Sequence, residues 1–72
     1  MEALDERDRA IVKALESGPM TPQELMKLTD MSKATFYRRI KRLMDMGYVE
    51  QIKKEGRVYY LSLIHISEPM RP

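Results

Sequence analysis

The hydrophobic period of this chain changes once, at Gly47. Before it, apolar residues recur about every 3.6 positions; after it, they fall on alternate positions. In 72 residues that switch leaves room for a few helices followed by one hairpin, so the expectation is a single small α+β domain. A domain of this size buries only about 60% of the surface its unfolded chain exposes, so every element must share one core.

Three helices are expected. The first covers residues 5–17, with Asp5 as N-cap, Leu4, Ile11, Ala14 and Leu15 on one face, and Gly18-Pro19 as its stop. The second opens with Thr21-Pro22-Gln23-Glu24. Thr at the N-cap, Pro at the first helical position and Glu three residues after the cap form a capping box. Leu25 and Leu28 supply its apolar side, and it ends near Leu28-Thr29. A tight turn, Thr29-Asp30-Met31, leads to Ser32, the N-cap of the third helix, which runs to Met46. Phe36, Ile40, Leu43 and Met44 share a narrow arc of that helix and are assigned to the core. Ala34, Arg38, Lys41 and Arg42 fall on the opposite arc, flanked by Thr35 and Tyr37.

Beyond Gly47, residues 48–53 and 57–61 are rich in β-branched and aromatic residues and read as two strands. Lys54-Glu55-Gly56 is expected to join them as a three-residue loop with Gly in the left-handed position. Met20 is expected to add a short third strand.

Charge divides unevenly along this order. Residues 1–30 hold four Lys/Arg against seven Asp/Glu, whereas residues 31–60 hold eight against three. The basic part coincides with the third helix and the hairpin, which suggests a basic face turned towards a polyanion; on charge alone it fits nucleic acid, a membrane surface or an acidic partner. Other chemistries find little support. There is no cysteine and only one histidine, so disulfides and an all-protein zinc site are not expected. No cofactor motif, nucleophile–base pair, carboxylate dyad or phosphate-binding loop is present, and an enzyme is not expected. The charged start, Met1-Glu2-Ala3-Leu4-Asp5-Glu6-Arg7-Asp8, does not read as a signal peptide, and no apolar run approaches the ~20 residues of a membrane span. The expected compartment is the cytoplasm, and no small-molecule site is visible.

Two helices joined by a tight turn, the second of them basic, suit recognition of double-stranded DNA. Small or polar residues must line a helix that enters the major groove; Ala34 and Thr35 allow close approach, and Arg38 suits a guanine edge. Ser32 and Lys33, at the helix N-terminus, are placed for phosphate oxygens. Tyr37 stands on the flank of this face, and Arg39, Lys41 and Arg42 are expected to meet the flanking backbone. Lys53, Lys54 and Arg57 at the hairpin tip are expected to reach phosphates or the neighbouring minor groove.

Four segments carry a family resemblance: Gly18-Pro19-Met20-Thr21-Pro22-Gln23-Glu24-Leu25, Ser32-Lys33-Ala34-Thr35-Phe36, Arg42-Leu43-Met44-Asp45-Met46-Gly47-Tyr48-Val49 and Gly56-Arg57-Val58-Tyr59-Tyr60-Leu61-Ser62. In this order they resemble winged helix-turn-helix regulators of the broad MarR/ArsR type from bacteria and archaea, over residues 5–62. The resemblance implies a fold of three helices and a two-stranded wing. It also implies transcriptional regulation, usually repression, through operator binding by a homodimer. It places the recognition helix on Lys33, Thr35, Tyr37 and Arg38 and the wing on Lys53, Lys54 and Arg57. The alternative is a winged helix used as a protein-interaction module without DNA binding.

The end of the chain departs from this pattern. Leu61-Ser62-Leu63-Ile64-His65-Ile66-Ser67-Glu68-Pro69-Met70-Arg71 resembles the translation of a transposase adapter used in DNA sequencing, differing only at Met70, where the adapter reads Thr. Residues 1–62 are therefore expected to form the domain and residues 63–72 to be a non-native tail. The alternative is a genuine C-terminal strand, for which Leu63, Ile64 and Ile66 are suitable residues.

Overall fold

The computed structural model describes residues 4–64. Helix α1 spans Glu6–Leu15, α2 Pro22–Thr29 and α3 Lys33–Asp45; strands β1, Val49–Lys54, and β2, Arg57–Ser62, form an antiparallel hairpin.

Each helix begins at the side chain expected to cap it. Asp5 Oδ1 accepts from Asp8 N at 3.2 Å, and Ser32 Oγ accepts from Thr35 N at 3.2 Å. At α2 the capping box is complete: Glu24 N donates to Thr21 Oγ1 at 3.2 Å and Thr21 N donates to Glu24 Oε1 at 3.0 Å. These contacts satisfy amide groups that the first helical turn leaves without a partner. Helix α2 ends on Asp30, whose left-handed backbone (φ 56°) turns the chain towards α3. Helix α3 ends in a Schellman motif. Gly47 takes φ 84°, Gly47 N donates to Met44 O at 3.0 Å, and Tyr48 N donates to Leu43 O at 2.9 Å.

The hairpin differs from expectation at its tip. Lys54 pairs directly with Arg57, leaving only Glu55 and Gly56 in the loop, and both have positive φ, 52° and 77°. A two-residue turn with two positive φ values matches the right-handed twist of the strands, and it replaces the expected three-residue loop. Met20 makes a single-residue bridge to Tyr60, exchanging hydrogen bonds with it at 3.0 and 2.8 Å, in place of the short third strand expected; the sheet stays two-stranded.

One core unites these elements: Ile11, Val12 and Leu15 from α1, Leu25 from α2, Phe36, Ile40 and Leu43 from α3, Val49 from β1 and Tyr60 from β2. Phe36 lies at its centre, its ring edge-on to Tyr37 at 5.0 Å and to Tyr60 at 6.1 Å. Met44 packs against this cluster but stays half-buried. Leu28 corrects the sequence reading, since it is 63% exposed and outside the core. Helix α2 has eight residues, and a helix so short turns only a narrow stripe inward, which Pro22 and Leu25 fill. Val12 corrects it in the other direction: it is fully buried beside Ile11.

Leu63 N donates to Tyr48 O at 2.8 Å, and Ile64 packs on the core edge. The remainder of the expected non-native tail, residues 65–72, lies outside the described residues.

Candidate nucleic-acid interface

The core stripe of α3 fixes the direction of its other face. With Phe36, Ile40 and Leu43 turned inward, Ala34, Arg38 and Lys41 face outward and are exposed, as are Ser32 and Lys33 at the helix start. Thr35 is half-buried, and its hydroxyl accepts from Ser32 Oγ at 3.1 Å, so cap and first turn brace each other. Tyr37 is 38% exposed and keeps one ring edge on Phe36. Burial holds the Tyr60 phenol above its ordinary pKa, and the neighbouring Tyr37 adds to the effect.

At the wing tip Lys53, Lys54 and Arg57 are all exposed, but they do not form one patch. Alternation along the strands sets Lys54 and Arg57 opposite each other on one face and Lys53 opposite Val58 on the other. Like charges placed directly across a strand pair destabilise it, so an anion set against Lys54 and Arg57 would relieve a repulsion built into the tip.

Between wing and helices lies an open cleft of about 520 Å³, lined by Thr21, Pro22, Gln23, Tyr37, Arg57 and Val58. It brings the N-terminus of α2 beside the flank of α3 and the end of the wing. Gln23 was not singled out in the sequence, where it reads as an ordinary first-turn residue. Only the packing of the wing against α2 and α3 gives it a role in this surface.

The more consequential omission is Asp8. It is 1% exposed and is the one buried charged residue among those described. Arg39 Nη1 donates to Asp8 Oδ1 at 3.2 Å and to Asp5 Oδ2 at 2.6 Å. Arg42 Nη1 lies 3.7 Å from Asp8 Oδ2. A buried carboxylate is tolerable only when paired and hydrogen-bonded, and these arginines meet that need. Arg39 is thus turned inward, its side chain 19% exposed, and not towards the flanking backbone as expected. Its guanidinium is held above its ordinary pKa, chiefly by the Asp5 hydrogen bond and then by Asp8. Arg42 keeps half of its side chain exposed. By contrast, among the described residues no salt bridge engages Lys33, Arg38, Lys41, Lys53, Lys54 or Arg57.

No helix among the described residues is long and apolar enough to cross a membrane, and no cluster of three or more His, Asp or Glu side chains among them could hold a metal ion. The candidate interface consists of exposed cations on α3 and on the hairpin beside it.

Comparison with known proteins agrees with this architecture. The chain is 36% identical over 50 residues to the HTH-type transcriptional regulator FL11 of Pyrococcus abyssi, a match covering 68% of this chain and 33% of that protein. The chain thus spans about a third of the length of that curated relative. Its fold superimposes on the zinc-responsive MarR family member ZitR of Lactococcus lactis with a TM-score of 0.77 at 16% identity, covering 85% of this chain and 44% of that one. The sequence model for winged helix-turn-helix DNA-binding domains matches residues 4–50, more than half of the chain. This chain belongs to the winged helix-turn-helix DNA-binding family.

Proposed function

We propose that the chain is the DNA-reading part of a transcription regulator, with α3 in the major groove and the wing against the adjacent backbone or minor groove. The observation that carries this reading is the set of six exposed cations, Lys33, Arg38, Lys41, Lys53, Lys54 and Arg57, that no described carboxylate neutralises. Ala34 and Thr35 let the α3 backbone approach base edges, and Arg38 donates in pairs to a guanine. Ser32, Lys33 and Lys41 meet phosphates and fix the register, as do Lys54 and Arg57 from one face of the wing and Lys53 from the other. Tyr37 and Gln23 line the cleft through which the backbone passes between helix and wing.

The proposed outcome is repression, because a domain seated in the groove covers the base pairs that other proteins must reach. One such domain reads one half-site, so operator recognition is assigned to a homodimer binding two half-sites about one helical turn apart. The relative from Pyrococcus abyssi, named as an HTH-type transcriptional regulator, supports the regulatory part of this reading, and the MarR family neighbour supports the winged-helix fold on which it rests.

Selection from a pool of random duplexes tests it. A chain that reads sequence enriches a short motif containing guanine at a fixed position. A pool that emerges with its starting composition would contradict sequence-specific recognition.

A further inference from the structure

We infer that Asp8 restrains DNA binding by holding Arg42 back from the phosphate backbone; the inference rests on the DNA-binding reading above. Along α1 the buried positions are Asp8, Ile11, Val12 and Leu15, the spacing of an apolar stripe. A carboxylate therefore occupies the position where a helix of this kind would place a hydrocarbon, directly beneath α3. Its oxygens divide the work. Oδ1 accepts from Arg39, whose same Nη1 makes the shorter bond to Asp5, and Oδ2 faces Arg42 at 3.7 Å.

Arg42 stands one helical turn after Arg38, at the edge of the exposed face of α3. Asp8, beneath it, competes with the DNA for its charge. Asp8 is removed from water while Arg42 stays half exposed, so solvent screens their attraction only in part. A phosphate reached across solvent is screened over about 8–10 Å at ordinary ionic strength. Transfer of Arg42 to the DNA would leave Asp8 with only its share of Arg39. Asp5, Asp8, Arg39 and Arg42 thus form a balanced quartet of two negative and two positive groups. The cations that α3 spends on DNA are Lys33, Arg38 and Lys41. Asp8 touches no DNA; it is a positioning residue acting through Arg42. It limits the sequence-independent share of the affinity, the share that phosphate contacts supply.

The test is the salt dependence of duplex binding by the 72-residue chain and its Asp8→Asn, Arg42→Gln and doubly substituted variants. Asp8→Asn is expected to tighten binding and to steepen the slope of log K against log salt by about 0.9, one further counterion released. The steepening is expected to vanish in the double variant, because it requires a freed Arg42. An unchanged slope in folded Asp8→Asn overturns the inference. Equal steepening in the double variant also overturns it, since a missing anion alone would then explain the effect.

Where Asp8→Asn does not fold, the arginine Nε–Hε signals of the native chain decide. Added duplex is expected to shift the Arg38 signal and leave that of Arg42 in place. A shift of Arg42 as large as that of Arg38 overturns the inference. Failure of the native chain to bind any duplex removes the DNA-binding reading and this inference together. That outcome is distinct from a native chain that binds with a slope insensitive to Asp8.

Discussion

Asp5 and Arg39 are joined by a 2.6 Å hydrogen bond between Oδ2 and Nη1, while the other oxygen of the same carboxylate caps α1 through Asp8 N. One side chain thus starts the first helix and ties it to the third. Its pKa is held below the ordinary carboxylate value, first by the Asp8 backbone N–H and then by Arg39. A carboxylate with a lowered folded-state pKa adds stability above its unfolded value, about pH 4, and that stability is lost as pH falls through the lowered value. Asparagine is also a good N-cap but carries no charge. Asp5→Asn is therefore expected to keep α1 capped, to lower the melting temperature at neutral pH, and to reduce the loss of melting temperature on acidification. Thermal melts followed by circular dichroism from about pH 7 to about pH 2 would show it. Parallel losses in both proteins would contradict the assignment.

Arg39 and Arg38 are neighbours in sequence with opposite duties. Removing one partner of a buried ion pair costs about 3–5 kcal/mol, because the other charge is left buried. Arg39→Ala is expected to lose that much stability in urea unfolding, a large part of the roughly 5–15 kcal/mol available to a folded domain. Arg38→Ala, on the exposed face, is expected to stay within about 0.5 kcal/mol of the native protein.

Leu25 and Leu28 separate in the same manner on α2. Leu25 is fully buried, so Leu25→Ala is expected to cost about 2–5 kcal/mol through lost burial and a residual cavity. Leu28→Ala is expected to change stability by no more than about 0.5 kcal/mol. Equal losses would mean that Leu28 is covered in solution.

At the wing tip, Glu55 holds a left-handed conformation that asparagine tolerates better. Glu55→Asn is expected to stabilise the hairpin by about 0.5–1 kcal/mol, read as a higher melting temperature. A lower one would contradict the two-residue turn.

Base readout and phosphate contact are separable as well. Arg38→Ala is expected to cost about 1–3 kcal/mol on a selected motif and to relax preference at its guanine position. Lys54→Ala is expected to weaken all duplexes alike and to make the salt slope shallower by about one. Competition binding with selected and scrambled duplexes distinguishes them, and equal losses on every sequence for Arg38→Ala would remove its reading role.

Much of this architecture was legible because it is local. Asp5, Thr21 and Ser32 cap their own helices, Gly47 stops α3, and Phe36, Ile40 and Leu43 recur at helical spacing, so no distant partner was needed to see them. What escaped depends on packing between elements. Val12 and Leu28 trade places relative to expectation because a helical period shows that a face is apolar, not how much of it the neighbours cover. Asp8 reads as one more acidic residue in a charged first turn. Its place on the stripe with Ile11, Val12 and Leu15 is visible in the sequence, but its meaning depends on Arg39 lying opposite. The exposed face of α3 followed directly from the core stripe. The cleft containing Gln23 did not, since it exists only where the wing folds back beside α2.

The central claim is that the exposed cations of α3 and the wing form a surface for double-stranded DNA. Fluorescence anisotropy of the chain with a labelled random-sequence duplex, at several salt concentrations, tests it most directly. The account predicts binding in the range typical of non-specific recognition, about 10⁻⁴–10⁻⁶ M, with a slope of log K against log salt of roughly −4 to −5 from about five phosphate contacts. No binding even at low salt would contradict it, and the same surface would then be read as a docking face for a protein.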